Sequence, residues 1–480
     1  MGIAVTAVAG LVMTGVTASC GSTPQTNPPD TGAPIHIGIS IGLTGDLKGT
    51  ATGLQNAIRV AEAQINAYGG VLGRKVVYDI QDDQSDQGTI IQGVVNNLLG
   101  QHVSALLGPI GSSQVSAVQQ LTYQAKTIEI TATATSPLLS TDQPATDRYL
   151  FRTVPNDNLQ AKALAIFAYN GPDSLGDAGT SAPIDAGADG GADGGVAPGG
   201  GCRTMVTISN SDDYGTPFKG ALKTEFEKLA GSGAVLSQQD VSSNVQPDYS
   251  TALQPVQDLH PDCLAMVVYD PTGDEILREL RQKQTGGQIS NNLVIIGTDG
   301  TYTQDFIVNG QANKGNPASA SVAEGVFGTN PDSNPTERGE YGDFQKLYLA
   351  QYTLDPGATD LPGQAANQYD AAILAALAIQ KAGTTDDPVK IRDSLFAVSR
   401  KSTTSVAGIT VGPGDIGDAL NDLQQGKGIN YEGASGDCDF DENGDVVGDY
   451  IVWTVVHPAG QQPAFLTIGK IPASALVVAQ

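Results

Sequence analysis

At 480 residues the chain is too long for one ordinary core, and a usual domain size of ~100–200 residues predicts two or three folding units, with two lobes as the simplest arrangement. Its formal net charge of -26 is spread along the sequence and opposes binding to phosphate backbones and anionic lipid surfaces, so nucleic acid is not expected as a partner. Low aromatic and high glycine content suits α/β units joined by many tight turns, and by itself selects no function.

Residues Ile3 to Val16 form an uncharged apolar stretch, too short to span a membrane comfortably, that ends in Thr17-Ala18-Ser19-Cys20. It resembles a secretory signal, and small residues before a cysteine resemble the lipobox of bacterial lipoproteins, with Cys20 as the acylated first residue of the mature chain. Thr17 stands where leucine is usual, and no Lys or Arg precedes the apolar run. The alternative is a buried N-terminal helix, against which stands the Pro-, Thr-, Asn- and Gly-rich stretch 21–34, read as a flexible tether.

Ile35 to Ile41 alternates as a strand, and Leu54, Ala57, Ile58, Ala61 and Ile65 then recur at helical spacing until Gly69-Gly70 stops the helix. Val76 to Ile80 is the next strand, Ile91, Val94, Val95 and Leu98 mark a helix, and Val103 to Leu107 is a short buried strand. A helix carrying Val115, Val118 and Leu121 leads to the strand Ile128 to Thr131. Strand alternating with helix implies parallel pairing through right-handed crossovers, hence an open doubly wound sheet.

Gly171 to Gly201 is almost wholly Gly, Ala, Asp, Pro and Ser, cannot bury enough apolar surface to order itself, and is read as a disordered surface insertion. Beyond it the alternation restarts, with strands at Met205 to Ile208, Val235 to Val241, Leu264 to Tyr269 and Leu293 to Ile296. The intervening helices are Phe218 to Leu229, Tyr249 to Leu259 and Asp274 to Gln282, giving a second Rossmann-like sheet. Apolar helical faces follow in Tyr341 to Tyr352, Gln364 to Lys381 and Pro388 to Val398, and the strand-like Tyr450 to Val456 could return to either sheet. Export would make the cysteines candidates for oxidation. Cys202 and Cys263 each precede an apolar strand, and adjacent parallel strands would set those starts side by side, which predicts a Cys202–Cys263 bridge and a free Cys438. Three unpaired buried thiols are the alternative.

In an open parallel sheet ligands bind beyond the carboxyl ends of the strands, where loops and helix N-termini converge. Those ends are Thr44-Gly45, Asp82-Asp83, Gly108 to Ser113 and Thr133 to Ser136 in the first lobe, and Asn210 to Tyr214, Tyr269-Asp270 and Asp299-Gly300 in the second. Hydroxyls at helix starts suit a carboxylate; two tyrosines and an acid suit an ammonium group and an apolar wall. Taken singly, Ser112 could be a helix cap, Thr133 and Thr135 strand-end residues, Tyr214 and Tyr269 core aromatics, and Asp299 a turn residue.

Gly42-Leu43-Thr44-Gly45, the run Ala63 to Gly73, Gly108-Pro109 with Ser112-Ser113, and Phe151-Arg152-Thr153-Val154-Pro155 resemble the branched-chain amino acid (Leu/Ile/Val) type of periplasmic binding protein. Asp213-Tyr214-Gly215, Gly297 to Gly300, Tyr369-Asp370-Ala371 and Tyr431 to Gly436 follow in the expected order, so the resemblance covers Ile35 to Trp453. It implies the type I fold: two Rossmann-like α/β lobes with parallel sheets joined by a three-segment hinge, crossing near Val154, Phe327 and Phe440. The expected lobes are 35–153 with 328–440 and 154–327 with 441–480. By the same resemblance Ser112 and Thr135 would hold a ligand carboxylate and help orient its ammonium, Thr133 would offer backbone groups, Asp299 would pair with the ammonium, and Tyr214 and Tyr269 would cover the ligand on closure. The family's first-lobe tyrosine has no counterpart here, and the loop Asp46 to Ala51 is shorter.

The resemblance implies an exported, lipid-anchored monomer that passes a small polar ligand, an amino acid or related amide, to the permease of an ABC importer, with no cofactor. A ligand sensor of the same fold and, more remotely, an anchored hydrolase are the competing functions. Gly412-Pro413-Gly414-Asp415-Ile416-Gly417 fits a dinucleotide fingerprint, but no strand ending in a ribose-binding acid follows, so a turn into a helix is expected. Asp439, Asp441, Asn443 and Asp445 imitate half of a calcium loop whose twelfth position would be Tyr450, so a hairpin turn is expected and no metal. His36, His102, His260 and His457 lack metal-ligand spacing, and no catalytic constellation emerges.

Overall fold

The computed structural model describes residues 32–175, 200–314, 316, 319–354, 358, 360–400 and 408–477; Cys20, its leader, residues 21–31 of the tether and 176–199 of the low-complexity stretch lie outside them. In chain order the first lobe starts with β1 (Ile35–Ile41), α1 (Lys48–Ala67), β2 (Val76–Asp82), α2 (Thr89–Gly100), β3 (Leu106–Leu107), α3 (Ser112–Ala125), β4 (Glu129–Thr131) and β5 (Leu150–Arg152). All neighbours pair in parallel in the order β2-β1-β3-β4-β5. β1 is buried on both faces except at His36, as expected of a strand covered by helices on either side.

The second lobe runs α4 (Asp157–Asn170), β6 (Met205–Asn210), α5 (Gly215–Ala230), β7 (Val235–Val241), α6 (Ser250–Leu259), β8 (Cys263–Val267), α7 (Asp270–Thr285), β9 (Val294–Gly297), α8 (Gln304–Asn309) and β10 (Phe327–Pro331). The chain then returns to the first lobe with α9 (Gly339–Leu349), α10 (Ala365–Ala382), α11 (Pro388–Ser399), β11 (Ile409–Val411), α12 (Ile416–Gln424) and β12 (Ile429–Tyr431). It finishes in the second with β13 (Tyr450–Val456), β14 (Ala464–Ile471) and α13 (Ala473–Leu476). The second sheet has the order β14-β13-β10-β9-β8-β6-β7, parallel from β7 to β10 and antiparallel across β10-β13-β14. Tyr450–Val456 therefore belongs to the second sheet.

One apolar core unites the first sheet with α9 to α12, and α10 is buried along almost its whole length within it. Two further cores lie on the faces of the second sheet. No helix among the described residues is long and apolar enough to cross a membrane. Cys202 and Cys263 are joined, Cα to Cα 5.9 Å, and Cys438 is a free buried thiol.

Three differences from the sequence reading have physical causes. Phe327 to Pro331 stays in the second sheet, so the second crossing falls after Pro331 and residues 328–331 are not part of the first lobe; Gly328-Thr329-Asn330-Pro331 carries no apolar alternation to mark a strand. Val446 packs in the first core, so the third crossing also comes later than Phe440. Around Asp441 there is a turn with no strand before it: the Asp441 carboxylate accepts the N–H groups of Asn443 and Asp445 at 2.7 and 3.0 Å. The Gly412 segment is a turn leading into α12, as its context predicts.

Lys470 of β14 straps the crossings. Its ammonium meets Asp332 at 2.6 Å and Asp449 at 3.4 Å, and also pairs with Glu337. These three acids are the one group among the described residues close enough together to hold a metal ion, and the lysine already supplies the positive charge there.

Candidate functional site

The first bank of the site is built where β3 and β4 end. Gly108 has φ +84°, and a Cβ there would lie 2.2 Å from the Ser40 carbonyl oxygen, so only glycine lets this loop pass over β1 before α3 begins. Hydroxyls fasten the two loops together: Thr131 donates to the Pro109 carbonyl at 2.8 Å and Thr133 to the Ile110 carbonyl at 2.6 Å. Ser112, in the first turn of α3, accepts the Ser136 N–H at 3.2 Å, which leaves its own proton free to be donated. Thr135 is buried beside it.

The second bank comes from the ends of β6, β8 and β9. Tyr214 and Tyr269 stack with ring centroids 5.1 Å apart and planes 23° from parallel. The Tyr214 hydroxyl donates to Asp299 Oδ1 at 2.8 Å, lies 2.6 Å from the Thr298 hydroxyl, and accepts the Gly300 N–H at 3.3 Å. A Cβ on Gly300 would fall 2.6 Å from the Val268 carbonyl oxygen and 3.1 Å from that same hydroxyl, so the bare backbone is what allows the contact.

Ser112, Thr133, Thr135, Tyr214, Tyr269 and Asp299 all line one narrow cleft, part of it open to solvent. The banks touch at its edge, where the Asp213 N–H donates to the Ser113 hydroxyl at 3.0 Å. Of the other strand ends, Asp82 and Asp83 do not reach the cleft. Asp83 is buried and accepts from Ser40 at 2.8 Å and Gln114 at 3.1 Å, while Asp82 accepts from the Thr44 hydroxyl at 2.8 Å, so both acids tie loops together.

Burial raises the Asp299 carboxyl to about 6, against the opposing pull of the Tyr214 hydrogen bond. Behind it lies an acid that the sequence reading missed. Asp157, at the start of α4, is wholly buried, and its carboxyl is pushed well above the usual range by burial and then by repulsion from Asp299. Neither of its oxygens has a well-formed hydrogen bond, the Thr135 hydroxyl being the donor that bears on it. Asp157, buried with so few donors beside a second acid, calls for a positive charge between the lobes. The available signal was the apolar run Ala163 to Ala168, too long to lie on one face of a helix, which places the helix, and hence Asp157, inside the molecule.

A family model described as periplasmic binding protein matches residues 34–461. The substrate-binding protein of a chemotactic signal transduction system in Halobacterium salinarum is 22% identical over 424 residues, covering 88% of this chain and 87% of that protein. A Leu/Ile/Val-binding protein of Rhizobium johnstonii is 24% identical, covering 80% of this chain and 89% of its own. Among solved structures, a leucine binding protein from Thermotoga maritima superposes with a TM-score of 0.66 at 20% identity, covering 90% of this chain and 98% of that one.

Proposed function

Since the chain belongs to the periplasmic binding protein family, whose members bind solutes and do not turn them over, we propose that its cleft captures a small amino acid or related amide for the permease of an ABC importer. The observation that carries this reading is the meeting of six side chains from the strand ends of two sheets in one cleft, hydroxyls on one bank and an acid with two phenols on the other. The ligand carboxylate would take the Ser112 hydroxyl, the first N–H groups of α3 and the Thr135 hydroxyl, which would turn to it from Asp157. Its ammonium would take Asp299, whose raised pKa then falls because the ion gains a partner. The Thr133 hydroxyl proton is already used on Ile110, so this residue would contribute backbone groups.

In this proposal the ligand first meets the hydroxyl bank, and closure brings Tyr214, Tyr269 and Asp299 onto it. Only contacts present in the shut form stabilise that form. Export, lipid anchoring at Cys20 and a monomeric state complete the proposal. Titration calorimetry of the purified protein against amino acids and small amides tests it, and failure of every zwitterion to bind would remove its basis. A second reading, a sensor that reports to a signalling partner, is favoured by the similarity to the chemotactic substrate-binding protein. Cross-linking in cell envelopes separates the two: a permease captured with ligand supports transport, a transducer supports sensing.

A further inference from the structure

We infer that the cleft takes a net-cationic ligand, an amino acid whose side chain ends in a second amine or a guanidinium, and that Asp270 with Asp46 receives that second positive charge. This rests on the amino-acid reading of the same cleft. One carboxylate is enough for an α-ammonium, and Asp299 supplies it; yet the lining carries three, Asp46, Asp270 and Asp299, and among the described residues no Lys, Arg or His. The surplus of acid is in the wall itself.

Asp270 follows Tyr269 directly, in the first turn of α7, and is only 5% exposed. Its Oδ2 accepts the Thr303 hydroxyl at 2.7 Å. From the opposite bank the start of α1 comes against it: a Cβ on Gly49 would lie 3.0 Å from that oxygen and 3.2 Å from Oδ2 of Asp305, so the missing side chain keeps space beside the acids. Every nearby carboxylate makes matters worse. Burial and then Asp305 and Asp46 raise the Asp270 carboxyl to about 7, with exposed Lys48 acting the other way, and Asp274 one turn further along α7 is raised in its turn to about 9 by burial and by Asp270. Asp46 is itself raised by burial.

A ligand with one ammonium and one carboxylate is neutral and leaves buried Asp270 and half-buried Asp46 with only the exposed Lys48 as a counter-charge, which favours their holding protons. A distal ammonium or guanidinium replaces those protons with a charge-assisted hydrogen bond. Asp46 and Asp270 share the cleft wall with Asp299, so the second charge and the α-ammonium would be held in one chamber.

The test is calorimetry at pH 8 with L-lysine, L-arginine and L-leucine on the parent protein and on Asp270→Asn, which keeps an acceptor for Thr303. The expected result is that lysine or arginine binds at least about tenfold more tightly than leucine, and that Asp270→Asn weakens the basic amino acid about tenfold while strengthening leucine. A role for Asp270 in folding alone would lower both affinities together, and that outcome overturns the inference. Leucine binding the parent as tightly as lysine and arginine also overturns it while leaving the amino-acid reading intact. Absence of binding by all three overturns both.

Discussion

Arg152 and Asp445 face each other as a two-pronged pair, Nε to Oδ1 at 2.7 Å and Nη2 to Oδ2 at 3.0 Å, although 293 residues separate them. Arg152 ends β5, just before the first crossing between the lobes, and Asp445 lies close before the third. Ser140 and Asn156 add hydrogen bonds to the same carboxylate at 2.7 and 3.1 Å. Two of the three hinge segments are thus pinned at one buried point.

Replacement Asp445→Ala leaves the Arg152 guanidinium, 2% exposed, without its partner, and is expected to cost about 3–5 kcal/mol in urea unfolding. Burial pushes the Asp445 carboxyl up, but Arg152 outweighs it and holds the group below its ordinary range. The pair's contribution is therefore complete above about pH 3.9, where the unfolded carboxyl is ionised, and is lost as pH falls through the lower folded value. Acid unfolding of the parent should accordingly begin at lower pH than that of Asp445→Asn.

Asp299 and Asp270 have the opposite sign. With folded values of about 6 and about 7 against an unfolded value of about 3.9, the native state binds protons that the unfolded state has released. Stability of the unliganded protein should fall as pH rises from about 4 to 7. Asp299→Asn should raise the neutral-pH melting temperature while abolishing zwitterion binding, measured by thermal scans and calorimetry in parallel. A lowered melting temperature would contradict the strain assigned to this acid.

Tyr214→Phe removes one hydroxyl that serves Asp299, Thr298 and the Gly300 N–H, so groups built around it lose their partner. The expected cost is about 1–3 kcal/mol of stability. Because the Tyr214 hydrogen bond favours the Asp299 carboxylate, its loss should also move the Asp299 titration upward, which carboxyl carbon NMR can follow.

The Cys202–Cys263 bridge closes a loop with a sequence separation of 61, for which chain-entropy reasoning gives on the order of 4 kcal/mol. Reduction under otherwise native conditions, or a double Ser replacement, should lower the urea midpoint by a corresponding amount. Binding stoichiometry should be retained, since both cysteines sit at the starts of β6 and β8, the ends away from the cleft.

Much of this was legible because the two lobes obey simple periodicities. The strands Val235 to Val241 and Tyr450 to Val456 have the bounds read from the sequence, and the six cleft residues could be named because each lies at or beyond the end of a readable strand. What escaped has no such contrast. β5 is three residues long, α4 is apolar on nearly every side, and β14 is a half-exposed edge strand in which Gly469 interrupts the pattern. Asp157 escaped with its helix. Asp270 was visible as a strand end but its significance was not, because the acids that repel it arrive from the loop before α1 and from α8, and such company is a property of packing rather than of spacing.

The second sheet has a further consequence for how the molecule is made. β10 shares five register pairs with β13 and only two with β9. Emerging from the ribosome or a translocation channel, the first 440 residues would therefore present β10 as a bare edge, open to pairing with any passing strand. The lobe that holds Asp299 becomes safe from such mispairing only when β13 arrives and closes over it, so a chain interrupted before Tyr450 should aggregate instead of persisting as a half-built binding protein.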